Sequence, residues 1–112
     1  MLTALLITFV SLGALCVLLA IPLILRRIGP NWLYGLQTTK TTQDPQIWYD
    51  ANAYAGKCLV VAGIFIAVFP VILYLVLPNL HPAAFAIASA AVVLIAVLVT
   101  VVQSLRYLGT LD

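Results

Sequence analysis

The residues that could take part in binding or chemistry are concentrated in one part of the sequence. The stretch PNWLYGLQTTKTTQDPQIWYDANAYAGK (residues 30–57) contains both tryptophans and two of the three acidic residues. With Arg26 and Arg27 just before it, this region also holds four of the five cations. We call residues 26–57 the polar segment. Its threonines offer hydroxyl groups without charge, and its Trp and Tyr side chains suit the headgroup layer of a membrane.

Signals of catalysis are weak. The single histidine, His81, lies in a turn-like stretch just before Pro82, which is typical of a solvated or interfacial position. The sequence contains no Ser-His-Asp set, no His-Glu-x-x-His pattern and no Cys/His ligand cluster. A pump usually places an ionisable residue inside a membrane span, and the apolar runs described next contain none. We therefore expect neither an enzyme nor an autonomous transporter, and no cofactor or metal.

The elements that position the polar segment follow from composition and length. Hydrophobic residues form 65% of the 112-residue chain and charged residues 7%, whereas a soluble domain carries about 45–50% apolar and about 25% charged residues. Residues 1–25 and 58–105 carry no Asp, Glu, Lys or Arg. A span requires roughly 20 residues, so the second run holds two spans, divided by the prolines of PNLHP (residues 78–82). The sequence predicts an all-α membrane protein, a single domain over residues 1–112, with spans near residues 3–25, 58–77 and 83–106.

The cations predict the orientation of these spans. Arg26, Arg27, Lys40 and Lys57 lie between the first and second spans, and Arg106 follows the third. The positive-inside rule then places the polar segment and the C-terminus in the cytoplasm and the N-terminus outside. The first span lacks a basic region before it and is too long for a signal peptide, which predicts an uncleaved helix.

A long helix is predicted to begin at Asp44-Pro45 and to continue through the second span. Asp accepts hydrogen bonds from free backbone amides at a helix start, and Pro suits the first helical position. One face of this helix carries a large aromatic, an amide and then small residues: Trp48, Asn52, Gly56, Gly63, Ala67 and Pro70. Because small residues four apart allow a second helix to approach closely in lipid, this face is predicted to pack inside the protein or against a partner.

The first part of this helix, residues 45–57, is predicted to lie close to the inner membrane surface. An unbroken helix from Pro45 to Leu77 would be about 50 Å long, against a hydrocarbon core of about 30 Å. An apolar stripe favours a bend near Gly56 that would lay the surplus along the membrane. The stripe consists of Ile47, Ala51, Tyr54 and Ala55.

Asn52 is the residue on which the prediction of a packed site depends. It lies one turn from Trp48 and one turn from Gly56, and a buried amide there needs hydrogen-bond partners. We expect the loop to fold back over the helix, so that Gln37, Thr38, Thr41 and their backbone supply these partners. The alternative is that Trp48 and Tyr34 anchor in headgroups while Asn52 faces water.

The spacing of residues in this segment resembles that of a known family. The pattern Pro-Asn-x-x-Tyr-Gly-x-x-Thr-x-x-Thr, followed by Trp, Asn and Gly at fixed distances, is similar to the SdpI/YfhL family of bacterial membrane proteins. The residues that carry it are Pro30, Asn31, Tyr34, Gly35, Thr38, Thr41, Trp48, Asn52 and Gly56. The resemblance implies a three-helix module in the bacterial cytoplasmic (inner) membrane. One departure is Gln37, where the family pattern usually has a basic residue.

The resemblance also implies a function. The founding member is an immunity protein that protects a producer cell from its own membrane-active toxin, and it signals by holding a transcriptional repressor at the membrane. It carries additional N-terminal membrane segments. We therefore expect a protective or signalling protein that binds a peptide, lipid or protein partner through residues 30–57. The expected binding residues are Asn31, Tyr34, Gly35, Gln37, Thr38, Thr41, Trp48, Asn52 and Gly56.

A second hypothesis stays open: a non-catalytic accessory subunit of a larger membrane complex, which would dock through the same face. The partners expected under either hypothesis are the lipid bilayer and a membrane protein or peptide, with no nucleic acid. Assembly with further copies of the chain stays open as well.

Overall fold

The computed structural model describes residues 1–31 and 34–111, and every regular element in these ranges is a helix. Three of the four helices are long and apolar enough to cross a membrane. This confirms the predicted all-α fold with three helices that can span a membrane. In chain order the helices are α1 (Leu2–Ile24), α2 (Thr39–Gln43), α3 (Pro45–Val76) and α4 (Pro82–Leu108).

The start of each of the two longest helices is fixed by a side chain followed by proline. A carboxylate oxygen of Asp44 accepts a hydrogen bond from the Gln46 amide at 2.9 Å, and α3 begins at Pro45 as the sequence predicts. At α4 the Nδ1 atom of His81 accepts from the Ala83 amide at 3.0 Å. The single histidine is thus exposed and caps a helix, a role that the sequence analysis did not assign to it.

The end of α1 redirects the chain into the polar segment. The Arg27 amide donates to the Pro22 carbonyl at 3.0 Å and the Arg26 amide donates to the Leu23 carbonyl at 3.2 Å. Arg26 adopts a left-handed conformation with φ of 59°. These two bonds form the pattern of a Schellman motif, which ends α1 and supplies donors to carbonyls in its last turn.

Helix α3 lies at the centre of the bundle and packs against both α1 and α4, which touch each other little. The tightest approach to α1 is at glycine: a Cβ atom on Gly63 would lie 2.7 Å from the Gly13 carbonyl oxygen, and one on Gly13 would lie 2.7 Å from the Ala67 amide nitrogen. The predicted face of small residues is therefore an internal packing face. Its partner on α1, Gly13, was not identified from the sequence.

The apolar stripe of residues 45–57 packs on protein. Ile47 and Ala51 are buried together with Leu108 at the end of α4. Tyr54 stacks on Tyr107, with ring centroids 4.2 Å apart and planes 11° from parallel. Packing against α4, and not the membrane surface, therefore explains the apolar stripe. The predicted bend at Gly56 thereby loses its physical reason, because side chains covered by α4 gain nothing from lying on lipid.

The length of α3 agrees with this arrangement. Its 32 residues correspond to about 48 Å of helix, and the longest dimension of the molecule is 51 Å. The helix continues through Gly56 without interruption. Its first three turns thus extend the helical bundle and form the base on which the rest of the polar segment rests.

Candidate functional site

The polar segment begins with a turn built by the Asn31 side chain. Its amide oxygen accepts a hydrogen bond from the Tyr34 amide at 2.6 Å. Its amide nitrogen donates to the carbonyls of Gly29 and Tyr34, each at 2.9 Å. An Asn side chain that bonds the backbone in this way holds a turn without help from other elements. Trp32, which the sequence suggested for the headgroup layer, lies outside the described residues.

Tyr34 connects this turn to α1. Its hydroxyl group donates a hydrogen bond to the Leu19 carbonyl in the helix. Partial burial raises the pKa of the Tyr34 phenol, because removal from water disfavours the charged phenolate. The shift favours the protonated phenol, which is the form that donates this hydrogen bond.

Trp48 and Asn52, one turn apart on α3, hold the loop against the helix. Both are buried. The indole Nε1 of Trp48 donates to the Ile28 carbonyl at 2.8 Å. The Asn52 amide oxygen accepts from the Leu36 backbone amide, and its nitrogen donates to the Trp48 carbonyl at 3.0 Å. Through these two side chains, α3 bonds to the loop backbone at Ile28 and Leu36.

The loop thus folds back over α3 as expected, and Asn52 does not face water. Its loop partner, however, is the main chain at Leu36. The side chains of Gln37, Thr38 and Thr41, which the sequence analysis proposed as partners, do not bond to it. A backbone amide has no signature in the sequence, so the identity of this donor could not be predicted.

Gly35 allows this close approach. Its φ of +114° is a conformation that residues with a side chain rarely adopt. A Cβ atom at this position would lie 2.9 Å from the Asn52 amide oxygen and 3.1 Å from the Trp48 ring. A side chain here would therefore displace the hydrogen bond between Leu36 and Asn52.

Two threonines shape the next part of the segment, which contains a short helix that the sequence analysis treated as loop. The Thr38 hydroxyl accepts from the Thr41 amide at 3.1 Å, and the Thr41 hydroxyl accepts from the Thr38 amide at 2.8 Å. This reciprocal capping starts α2. The buried Thr41 hydroxyl also lies 2.9 Å from the Leu36 carbonyl and donates to it. The Thr-x-x-Thr spacing was the one signal in the sequence for this helix.

Two charged contacts join the polar segment to the ends of the long helices. Lys40 donates through Nζ to the Leu108 carbonyl at the end of α4, at 3.0 Å. A cation there complements the negative end of the helix dipole. Arg26 forms an ion pair of 2.7 Å with Asp50 of α3. Because this second pair is partly exposed, it orients the chain more than it stabilises it.

The nine predicted binding residues fall into three groups by exposure. Thr41, Trp48, Asn52 and Gly56 are buried, whereas Asn31, Tyr34, Gly35 and Thr38 are partly buried and only Gln37 is exposed. Gly56 does not contact the loop: a Cβ atom there would lie 3.0 Å from the Ala20 carbonyl oxygen of α1. Gly56 therefore allows the two membrane helices α1 and α3 to approach closely. Most of the nine residues give the segment its shape.

The surface of the segment carries neutral amides at both ends of α2. The side chains of Gln37 and Gln43 are exposed. Within residues 1–31 and 34–111, neither side-chain amide forms a hydrogen bond. Each can donate and accept hydrogen bonds with an external group. The sequence predicts such a role for Gln37 but gives no signal for Gln43.

Comparison with known proteins places this arrangement in a family. The family model described as the SdpI/YfhL protein family matches residues 27–104, which include nearly all of the polar segment as well as α3 and most of α4. Comparisons with curated proteins and with solved structures found no match. Because the family match covers well over half of the sequence, the chain belongs to the SdpI/YfhL protein family.

Proposed function

We propose that this SdpI-like membrane protein protects its cell against a membrane-active peptide by binding that peptide through the polar segment. The immunity role is the one that resemblance to the founding family member implies. We further propose that the protein is not an enzyme and lies in the bacterial inner membrane with the polar segment in the cytoplasm. Signalling to a protein partner through the same surface is a variant of this proposal.

The observation that supports binding most strongly is that buried residues hold the loop in place while two amide side chains remain exposed on it. Trp48 and Asn52 hold the loop from inside, so the chain around α2 has a fixed shape. Gln37 and Gln43 then present amide groups from that fixed shape. Amide side chains pair well with the N–H and C=O groups of a peptide backbone. A surface that is already ordered loses less entropy when a partner binds.

The position of the segment suits a ligand that reaches the membrane surface. The polar segment, the end of α1 and the end of α4 meet at one end of the bundle, as the contacts of Lys40 and Asp50 show. All five cations lie in the polar segment or in the last turn of α4. This grouping supports the cytoplasmic assignment through the positive-inside rule.

A deletion strain tests the proposal. We expect cells without the protein to lose resistance to the membrane-active peptides that their own strain secretes, and the wild-type gene to restore it. A Gln37→Ala/Gln43→Ala variant should fail to restore resistance although it accumulates in the membrane. Asn79→Ala is the matched control, because it removes an exposed amide at the opposite end of the bundle. Full resistance of the deletion strain would contradict the immunity role.

Affinity purification from native membranes separates this role from that of an accessory subunit. Immunity predicts a complex that forms only when the peptide is present. A membrane protein recovered at fixed stoichiometry without the peptide, together with an unchanged resistance phenotype, would favour the accessory subunit.

A further inference from the structure

A groove between α3 and α4 lies beside the polar segment and is separate from its exposed surface. Its cavity volume is about 550 Å³. It extends from Lys57 and Thr100 at the end near the polar segment to Phe65 and Val92 deeper in the bundle. Apart from Lys57 and Thr100, the residues that line it are apolar.

The shape of the groove comes from small residues between large ones. Ala62 is only 5% exposed and forms the floor with Ala96, whereas Phe65 and Ile95 are 62% and 61% exposed and form the rims. Phe65 lies eight positions after Lys57 on α3, which corresponds to about 12 Å of helix. One leaflet of the hydrocarbon core is about 15 Å thick. The groove therefore matches the depth of a single leaflet.

The chemistry of the groove changes from apolar to cationic at its mouth. The Thr100 hydroxyl donates to the Ala96 carbonyl at 2.8 Å, so it does not require a partner in the groove. Lys57 is exposed, and within the described residues it takes part in no ion pair. Arg106 is exposed six residues beyond Thr100, about 9 Å further along α4. Within residues 1–31 and 34–111 neither Lys57 nor Arg106 forms an ion pair, so the mouth carries positive charge.

We propose that this groove binds an anionic phospholipid, with one acyl chain between α3 and α4 and the headgroup phosphate at Lys57. The apolar walls match a hydrocarbon chain, and the cation matches the phosphate. The lipid belongs to the leaflet on the side of the polar segment.

Native mass spectrometry of the purified full-length protein tests this site. The probes are phosphatidylglycerol and phosphatidylcholine with identical acyl chains. We expect phosphatidylglycerol to remain bound preferentially. Lys57→Gln should weaken phosphatidylglycerol binding by roughly fivefold, the effect of one interfacial cation. It should weaken phosphatidylcholine less, because the choline cation already neutralises the phosphate of that lipid. Ala96→Leu should weaken both lipids because it fills the floor of the groove.

Matched variants control for loss of charge and for added bulk. Arg27→Gln removes an exposed cation away from the groove, and Ala90→Leu adds the same bulk at an exposed position on α4 that does not line it. Both should bind lipid as the wild type does. If Ala96→Leu fails to fold, Val61→Trp blocks the groove from an exposed lining position.

Three results would overturn the proposal. The first is equal retention of the two lipids by the wild type. The second is equal loss of phosphatidylglycerol in Lys57→Gln and Arg27→Gln. The third is a protein crosslinked in stoichiometric amount to Cys58, a native thiol that lines the groove, because it would show a protein partner in place of the lipid. None of these results depends on whether the polar segment binds a peptide.

Discussion

At the scale of single residues, side chains of α3 hold the loop through its backbone. Trp48 bonds to the Ile28 carbonyl and Asn52 bonds to the Leu36 amide, and both side chains are buried. A buried donor or acceptor that loses its partner costs about 1–3 kcal/mol. Two residues that lie outside the loop therefore attach its backbone to α3. This explains why an aromatic and an amide occur one turn apart at the start of a membrane helix.

Replacing Asn52 with Leu should lower the free energy of unfolding by about 1–3 kcal/mol, because the Leu36 amide loses its acceptor while remaining covered. Gln43→Leu removes an exposed amide from the same segment and should have little effect. Thermal unfolding in detergent, followed by circular dichroism, measures the difference. An Asn52→Leu protein as stable as the wild type would show that the bond does not hold the loop.

Gly35→Ala should be destabilising for a different reason. The φ of +114° must be kept, and the added methyl group would lie 2.9 Å from the Asn52 oxygen. Strained backbone of this kind costs about 1–3 kcal/mol. Gly29→Ala is the control, since a Cβ atom there meets its nearest neighbour, the Tyr49 hydroxyl, at an ordinary 3.4 Å. Equal melting temperatures for the two variants would contradict the account of Gly35.

The sequence predicts some of these residues better than others. The burial of Asn52 could be inferred, because an amide beside Trp48 on a membrane helix needs partners. Its loop partner could not, since every residue except proline has the backbone amide that Leu36 uses. The exposure of Gln37 and the burial of Thr41 depend on the direction of the chain in α2, which short polar stretches do not reveal.

At the scale of elements, α3 organises the molecule because each of its faces has a different partner. Gly63 meets Gly13 of α1, and Tyr54 stacks on Tyr107 of α4. In lipid the hydrophobic effect does not drive helices together, so close backbone contact and side-chain packing must do so. The glycine contact should therefore be sensitive to a single methyl group.

Gly63→Ala tests this contact. A Cβ atom at this position would lie 2.7 Å from the Gly13 carbonyl oxygen, and separating two backbones costs about 1–3 kcal/mol. Gly109→Ala is the matched control, because its nearest contact at 3.4 Å leaves room for the methyl group. We expect a lower melting temperature for Gly63→Ala only. Equal stability of the two variants would mean that α1 and α3 can separate without loss.

The elements predicted from the sequence were those with a strong local signal. The long apolar runs predict α1 and α4, and Asp44-Pro45 predicts the start of α3. Helix α2 was missed, because its threonines are β-branched and favour helix only weakly. The stripe that contains Ile47 and Ala51 was assigned to the membrane surface, because periodicity shows that a face is apolar but does not show that Leu108 covers it.

At the scale of the whole molecule, the charges distinguish the two ends of the bundle. The polar segment and the last turn of α4 carry all the cations, whereas the turn between α3 and α4 carries none. By the positive-inside rule, this distribution predicts that the polar segment lies in the cytoplasm.

Cysteine labelling tests this topology. We predict that Gln43→Cys, in a chain with Cys16→Ala and Cys58→Ala, is labelled by an impermeant maleimide only after cells are opened. Asn79→Cys should be labelled in intact cells. The reverse pattern would invert the topology.

Hydrogen exchange at the Leu36 amide tests the central claim, that α3 fixes the loop in one shape, most directly. In the wild-type protein in lipid nanodiscs, NMR should show slow exchange at this amide, because Asn52 accepts its hydrogen bond. In Asn52→Leu the exchange at Leu36 should become fast, while the amide of Gly63 keeps its protection. A Leu36 amide that exchanges as fast in the wild type as in the variant would contradict the account.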